Sequence, residues 1–327
     1  MMGKLPYYFG KKRIKILKFK YYFALHFTTI LITNLKINFM KKLFGVLLLT
    51  FALVNCSKQE MKEVQDQPNL LKSSTTVTTE TALKSAIAAA KAGDVITVSG
   101  TIKMTATLKC SNSGTSSSKI NFTGGTLDFS SMAVSSSNRG ISLSGSYWNI
   151  TNMVIKTAGD NGICVQTGGY NYIYKVTTTG CADGGIQIYN SSHDNTVSYC
   201  TSTNNYDVAT GGENADGFSC KLSGGPNNKF DHCTATGNSD DGWDLYGQPY
   251  TVTITNCTAS SNGKGTNGDG NGFKLGSSGQ SVAHTCTNCI ANSNKGYGYT
   301  GNGNTGHITT TGSTGSGNVK GLWDRIY

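Results

Sequence analysis

The chain has 327 residues, among them 41 Gly, four Pro and ten Cys, and a formal net charge of +10. Ten of its 28 Lys and Arg lie in residues 1–55, which hold no Asp or Glu, leaving 18 basic and 18 acidic residues in the remainder. The part that folds is formally neutral, so the positive charge is no argument for a nucleic-acid partner, and none is expected.

In chain order, residues 1–39, rich in Lys, Phe, Tyr and Ile, read as a mis-assigned start or an additional leader. Met40-Lys41-Lys42 and the apolar run 43–54 have the form of a signal peptide, too short to span a bilayer. The segment ends Leu53-Val54-Asn55-Cys56, so residues 40–56 resemble a bacterial lipoprotein signal with Cys56 as the lipidated residue. Residues 57–75 are polar, lack periodicity and read as a flexible tether. The expected product is a secreted or outer-membrane-anchored lipoprotein, monomeric, that meets a membrane only through its lipid.

Residues 76–327 are dominated by Gly, Ser, Thr and Asn, which are poor helix formers. One helix is expected over 81–92, with Leu83, Ala86, Ile87 and Ala90 on one face and Gly93 as its stop. A strand over 94–98 follows. A short helix ahead of many short strands suits the N-terminal cap of a solenoid, whose first coil needs its open end covered.

Internal repeats carry the fold assignment. Cys200, Cys233, Cys257 and Cys289 each end a similar tripeptide, and Asn205, Asn238, Asn262 and Asn294 follow five residues later. Met153 and Val176 take the Cys position in two earlier copies. Each copy then continues with Gly and an apolar residue: Gly162-Ile163, Gly185-Ile186, Gly217-Phe218, Gly242-Trp243, Gly272-Phe273 and Gly298-Tyr299. Longer loops interrupt two copies, at 206–216 and 263–271. Repeats of this size with two or three strands each predict an all-β fold, a parallel β-helix. Val, Met and Cys in equivalent places then form an inward ladder of free thiols and apolar groups, disulfides being the alternative. The Asn column reads as a buried ladder of amides bonded from coil to coil.

Aligning the coils brings chemistry together. Two residues after the marker Gly stand Gln187, Ser219, Asp244, Lys274 and Thr300 in successive copies. Alternation puts these on the face opposite Phe218, Trp243 and Phe273, hence outward if the aromatics are buried. Asp216 and Asp241 precede the Gly on neighbouring coils, and Asp240 precedes Asp241. Four carboxylates, Asp216, Asp240, Asp241 and Asp244, therefore converge. Like charges so close need neutralising, and a hard divalent cation such as Ca²⁺, which takes oxygen ligands, suits them. Ordinary turn-forming Asp residues are the alternative.

The segments 213–218, 238–245 and 268–276 resemble, in order, the signatures of polysaccharide lyase family nine, whose members are right-handed parallel β-helical pectate lyases with some rhamnogalacturonan-directed relatives. The resemblance covers roughly residues 80–310. It implies Ca²⁺ held by Asp216, Asp240, Asp241 and Asp244, and Lys274 as the base of a β-elimination on an acidic, pectin-like glycan. Thr300 departs from the pattern, standing where an Asp is expected. Lys221 and Lys295 are candidates to pair with a substrate carboxylate, a plain solvated lysine being the alternative for each. A rhamnogalacturonan-directed lyase, a polygalacturonase-type hydrolase on the same fold and a non-catalytic glycan-binding β-helix remain rival readings.

Overall fold

The computed structural model describes residues 72–326. The leader, the lipoprotein-type signal with Cys56, and the tether as far as residue 71 lie outside them. Twenty-seven strands form three parallel sheets of nine, each strand bonded to its counterpart one coil away. The chain visits the first, second and third sheet in turn and then climbs one rung, which is the right-handed parallel β-helix predicted from the repeats. Eight coils carry three strands each; Ser74–Val77 precedes them as a lone strand before the helix, and Thr314–Ser316 and Gly321–Asp324 follow as a final pair.

The helix runs Glu80–Ala89, capped by the Thr79 side chain, which accepts from the Ala82 N–H. Leu83 and Ile87 are buried, so it covers the first coil with the face expected from its spacing. Strand pairing starts at Ser74, two residues ahead of the expected boundary, because Ser74–Val77 finds a partner in Val95–Val98.

The interior is built from columns. Phe218, Trp243, Phe273 and Tyr299 are fully buried and stack in sequence at 4.8, 4.7 and 5.1 Å between ring centroids. Such offset stacking adds about 0.5–1.5 kcal/mol per pair beyond burial. Met153, Val176, Cys200, Cys233, Cys257 and Cys289 are buried in the predicted ladder. All nine described cysteines are free and buried. The residue before each of these six, such as Asn256 (φ 55°) and Asn288 (φ 53°), is left-handed, which Asn tolerates better than most residues.

The Asn column is bonded as expected. Asn262 Oδ1 accepts from both the backbone and the side-chain N–H of Asn238, and Asn294 Oδ1 does the same for Asn262. The column continues to Asn318. A second ladder, not anticipated, lies in the turn leading into the first sheet. There Asn171, Asn195 and Asn228 accept from the N–H groups of Trp148, Asn171 and Asn195. Higher in the same column His284 Nδ1 accepts from Val252 N–H at 3.1 Å. Its Nε2 is buried without a partner.

Candidate functional site

Three strands of the third sheet and the turns that feed them from the second sheet build the site. Ser219, Asp244, Lys274 and Thr300 are consecutive register partners there, as the Gly-plus-aromatic alignment requires. With the aromatics locked inside, alternation directs Asp244 and Lys274 outward. They border a cleft of about 310 Å³ that Lys221, Asp240, Tyr246 and Asp269 also line.

Asp216, Asp240 and Asp241 each present a carboxylate oxygen within 4.8 Å of the others, and all three are buried. Their positions are fixed by backbone donors. Asp240 accepts from the N–H groups of Asn214 and Asp269, at 3.0 and 2.7 Å. Asp241 Oδ1 accepts from the Asn271 backbone and side chain. Its Oδ2 accepts no hydrogen bond, and the Lys274 ammonium lies 3.4 Å away.

Asp244 is not part of that triplet, although the sequence placed it there. It joins through Lys221, whose Nζ donates to Asp216 at 2.8 Å and to Asp244 at 3.0 Å. Lys221, expected to meet a substrate carboxylate, is thus committed to two of the protein's own. The reason is reach: from the end of its strand the Nζ meets Asp216 on its own coil and Asp244 on the next. Lys295 is likewise placed differently from expectation. Its Nζ donates to the carbonyl oxygens of Gly265, Thr266 and Gly268, holding the 263–271 loop rather than lining the cleft.

That loop supplies a residue the sequence reading passed over. Asp269 Oδ2 accepts from Lys274 Nζ at 3.1 Å. Its signal was its place in Gly268-Asp269-Gly270-Asn271, within one of the motifs. The 206–216 and 263–271 loops clasp each other: Asn267 Nδ2 donates to Thr210 O and Thr266 Oγ1 to Gly211 O. The two insertions therefore form one wall above the intervening Asp240–Asp241 turn.

Electrostatics follow from burial and these pairings. Burial pushes Asp216 and Asp241 well above the usual carboxylate range, and neighbouring carboxylates add to it while Lys221 and Lys274 oppose it. Burial also raises Asp240. For Asp244 burial acts upward, but Lys221 and Lys274 outweigh it and hold the group low. Burial alone pulls the Lys274 ammonium down, yet Asp241, Asp244, Asp216 and Asp269 hold it above the ordinary lysine range.

Three buried carboxylates, one with an oxygen that accepts no hydrogen bond, form a donor set that fits a hard divalent cation. No His or Cys stands among them, which disfavours zinc and copper.

Comparisons with known proteins agree with this architecture. Residues 64–324 match the family model described as the Pel9A-like, right-handed β-helix region. Pectate lyase L of Paenibacillus polymyxa is 42% identical over 207 residues, covering 58% of this chain and 46% of the relative. The solved structure of pectate lyase Pel9A superposes with a TM-score of 0.65 at 32% identity, covering 69% of this chain and 61% of that one. A rhamnogalacturonan lyase superposes with a TM-score of 0.61 at 23% identity, a likeness of fold. The chain spans about half the length of the curated pectate lyases L it matches, 46% and 42% for two of them.

Proposed function

The chain belongs to the Pel9A-like right-handed β-helix family, and on that premise we propose that it is a polysaccharide lyase cleaving an acidic pectic glycan by β-elimination. Lys274 is the base. Asp216, Asp240 and Asp241 are the residues to hold a Ca²⁺ ion, with Asp244 beside them. The observation that carries this reading is the juxtaposition of Lys274 with three buried carboxylates, of which Asp240 lines the same cleft as the lysine.

When bound there, the cation supplies Lewis-acid chemistry, withdrawing charge from a uronate carboxylate and so acidifying the proton on C5. Lys274 Nζ takes that proton, the C5 electron pair forms the C4–C5 double bond, and the C4–O bond breaks with its pair going to the glycosidic oxygen, which takes a proton from water. For this the lysine must be neutral, whereas the uncompensated carboxylates keep it protonated. Once their charge is offset, its affinity for the proton falls. Asp269 and Asp241 aim the ammonium along the cleft floor. Tyr246, whose ring centroid lies 5.9 Å from Nζ, covers it from the side.

A hydrolase on this fold finds less support. A hydrolase needs only a pair of carboxylates, which leaves Lys274, held between Asp241 and Asp269 in the same cleft, without a role. Product analysis on polygalacturonate and on rhamnogalacturonan tests the proposal. Elimination leaves an ultraviolet-absorbing unsaturated end, and hydrolysis leaves none.

A further inference from the structure

The turn between the second and third sheets changes its charge along the solenoid. One residue before the marker glycine stand Asp216 and Asp241 on two coils, but on an earlier coil, before Gly140, stands Arg139. The register Ile141, Ile163, Ile186, Phe218, Trp243 fixes this equivalence and sets Arg139 four rungs from Asp241. At ~4.8 Å per rung that is about 19 Å along one face.

Arg139 is held ready rather than loose. Its Nε donates to Asp160 at 3.1 Å, and Asp160 is buried. One terminal nitrogen donates to Gln166 Oε1 at 3.2 Å, and the same oxygen accepts from the Tyr189 hydroxyl. Gln166 Nε2 in turn donates to Ser142. The guanidinium also lies 5.6 Å from the centroid of the Tyr189 ring. Of the five N–H donors of an arginine, these contacts leave others for a ligand.

Beside it, Lys109 stands on the outward column that passes through Ser142 and Cys164 toward Asp244 and Lys274. Among the described residues Lys109 forms no ion pair. Lys109, Arg139, Ser142, Gln166 and Thr107 line a cavity of about 390 Å³ that no carboxylate lines. A fixed guanidinium, a free ammonium and hydroxyls suit a carboxylate-bearing sugar.

We propose that Lys109 and Arg139 form a remote subsite for a uronate carboxylate, gripping the same polyuronate strand that enters the cleft at Lys274. The inference rests on the lyase reading for its ligand class. It makes binding depend on chain length: the coil of Lys274 is five rungs from that of Arg139, so only an oligomer spanning about 24 Å or more reaches both places.

The test uses the full chain carrying Lys274→Ala, so that the ligand survives, titrated with polygalacturonate oligomers of graded length. Adding Lys109→Ala or Arg139→Gln is expected to weaken binding of the long oligomers about tenfold, the equivalent of one lost charged contact, and to leave the short ones unchanged. Lys109 is exposed and unpaired, so its variant reports even if loss of Arg139 disturbs Asp160. Equal losses at all lengths, or no loss at any length, overturn the subsite. The unsubstituted protein is assayed for unsaturated product in parallel. Product formation with unchanged long-oligomer binding in the variants removes the subsite alone. Length-dependent loss without any product removes the lyase reading and keeps the subsite. Failure to bind oligomers of every length removes both.

Discussion

Asp244 and Lys274 are register partners on adjacent parallel strands, side by side on the outward face of the third sheet. A carboxylate beside an ammonium on that face, with both side chains largely buried, makes each dependent on the other's charge. The protonation of Lys274 is therefore tied to everything that alters the charge of the aspartates around it.

The first expectation concerns pH. The carboxylates raise the affinity of Lys274 for its proton, and only the neutral amine accepts one from substrate. Activity is expected to rise with pH through the alkaline range. Rate–pH profiles at two calcium concentrations check this: higher calcium moves the rising limb to lower pH, and a limb that ignores calcium contradicts it.

Calcium is expected to stabilise the fold. A ligand that binds the native state alone adds about 2.7 kcal/mol at 100 times its dissociation constant. Melting curves with and without calcium read the shift. Asp241→Asn removes it, while relieving the desolvation of a buried carboxylate and its repulsion by Asp240, so the cation-free variant melts no lower than the parent.

Lys221 offsets two buried carboxylates at once. Removing one partner of a buried ionic group costs about 3–5 kcal/mol. Lys221→Met is expected to lower the melting temperature accordingly, and calcium is expected to narrow the gap, because a cation at Asp216 replaces part of the missing charge. Chemical denaturation at two calcium levels measures both effects.

His284 supplies a pH-dependent term. Burial pulls its pKa from 6.5 to about 4, so the unfolded chain binds a proton where the folded one does not. Above pH 6.5 neither state is charged and the term vanishes. As pH falls from 6.5 towards 4 the folded state loses stability, by up to about 3 kcal/mol. Asn at this position reproduces the ladder acceptor used by Asn195 and Asn228 without titrating. His284→Asn should therefore flatten the stability curve in that interval. A parallel curve for parent and variant contradicts the assignment.

The amide ladder is tested at its middle. Asn262→Ala removes the acceptor of two Asn238 N–H groups and the donor to Asn294. Buried groups left unpaired cost about 1–3 kcal/mol each, so a loss of about 2–4 kcal/mol in denaturant unfolding is expected.

The partners Ser219, Asp244, Lys274 and Thr300 were legible because a glycine followed by a buried aromatic marks the equivalent place on each of their four coils. The Cys and Asn columns were legible because their spacing of five is constant. The second ladder was equally regular, five residues before the Cys column. It escaped because Trp148, Val252 and His284 hide the Asn pattern on three coils. Lys221 and Asp269 illustrate a different limit. Register fixes where a strand residue stands, but the partner of a long ammonium, or of a carboxylate on the 263–271 loop, is chosen by loop conformation. The pairing of that loop with 206–216 joins segments about 55 residues apart in sequence and leaves no periodic trace.

Lys274 as the base of an elimination, and a cation at the aspartates that makes it possible, are tested together. The most direct measurement follows ultraviolet absorbance on polygalacturonate for the parent and for Lys274→Ala, each with calcium and then with chelator, alongside a calcium titration of both proteins. A chelator-sensitive rise is expected for the parent, none for the variant, and calcium binding by both. Unsaturated product from Lys274→Ala at the parental rate would contradict that role for Lys274.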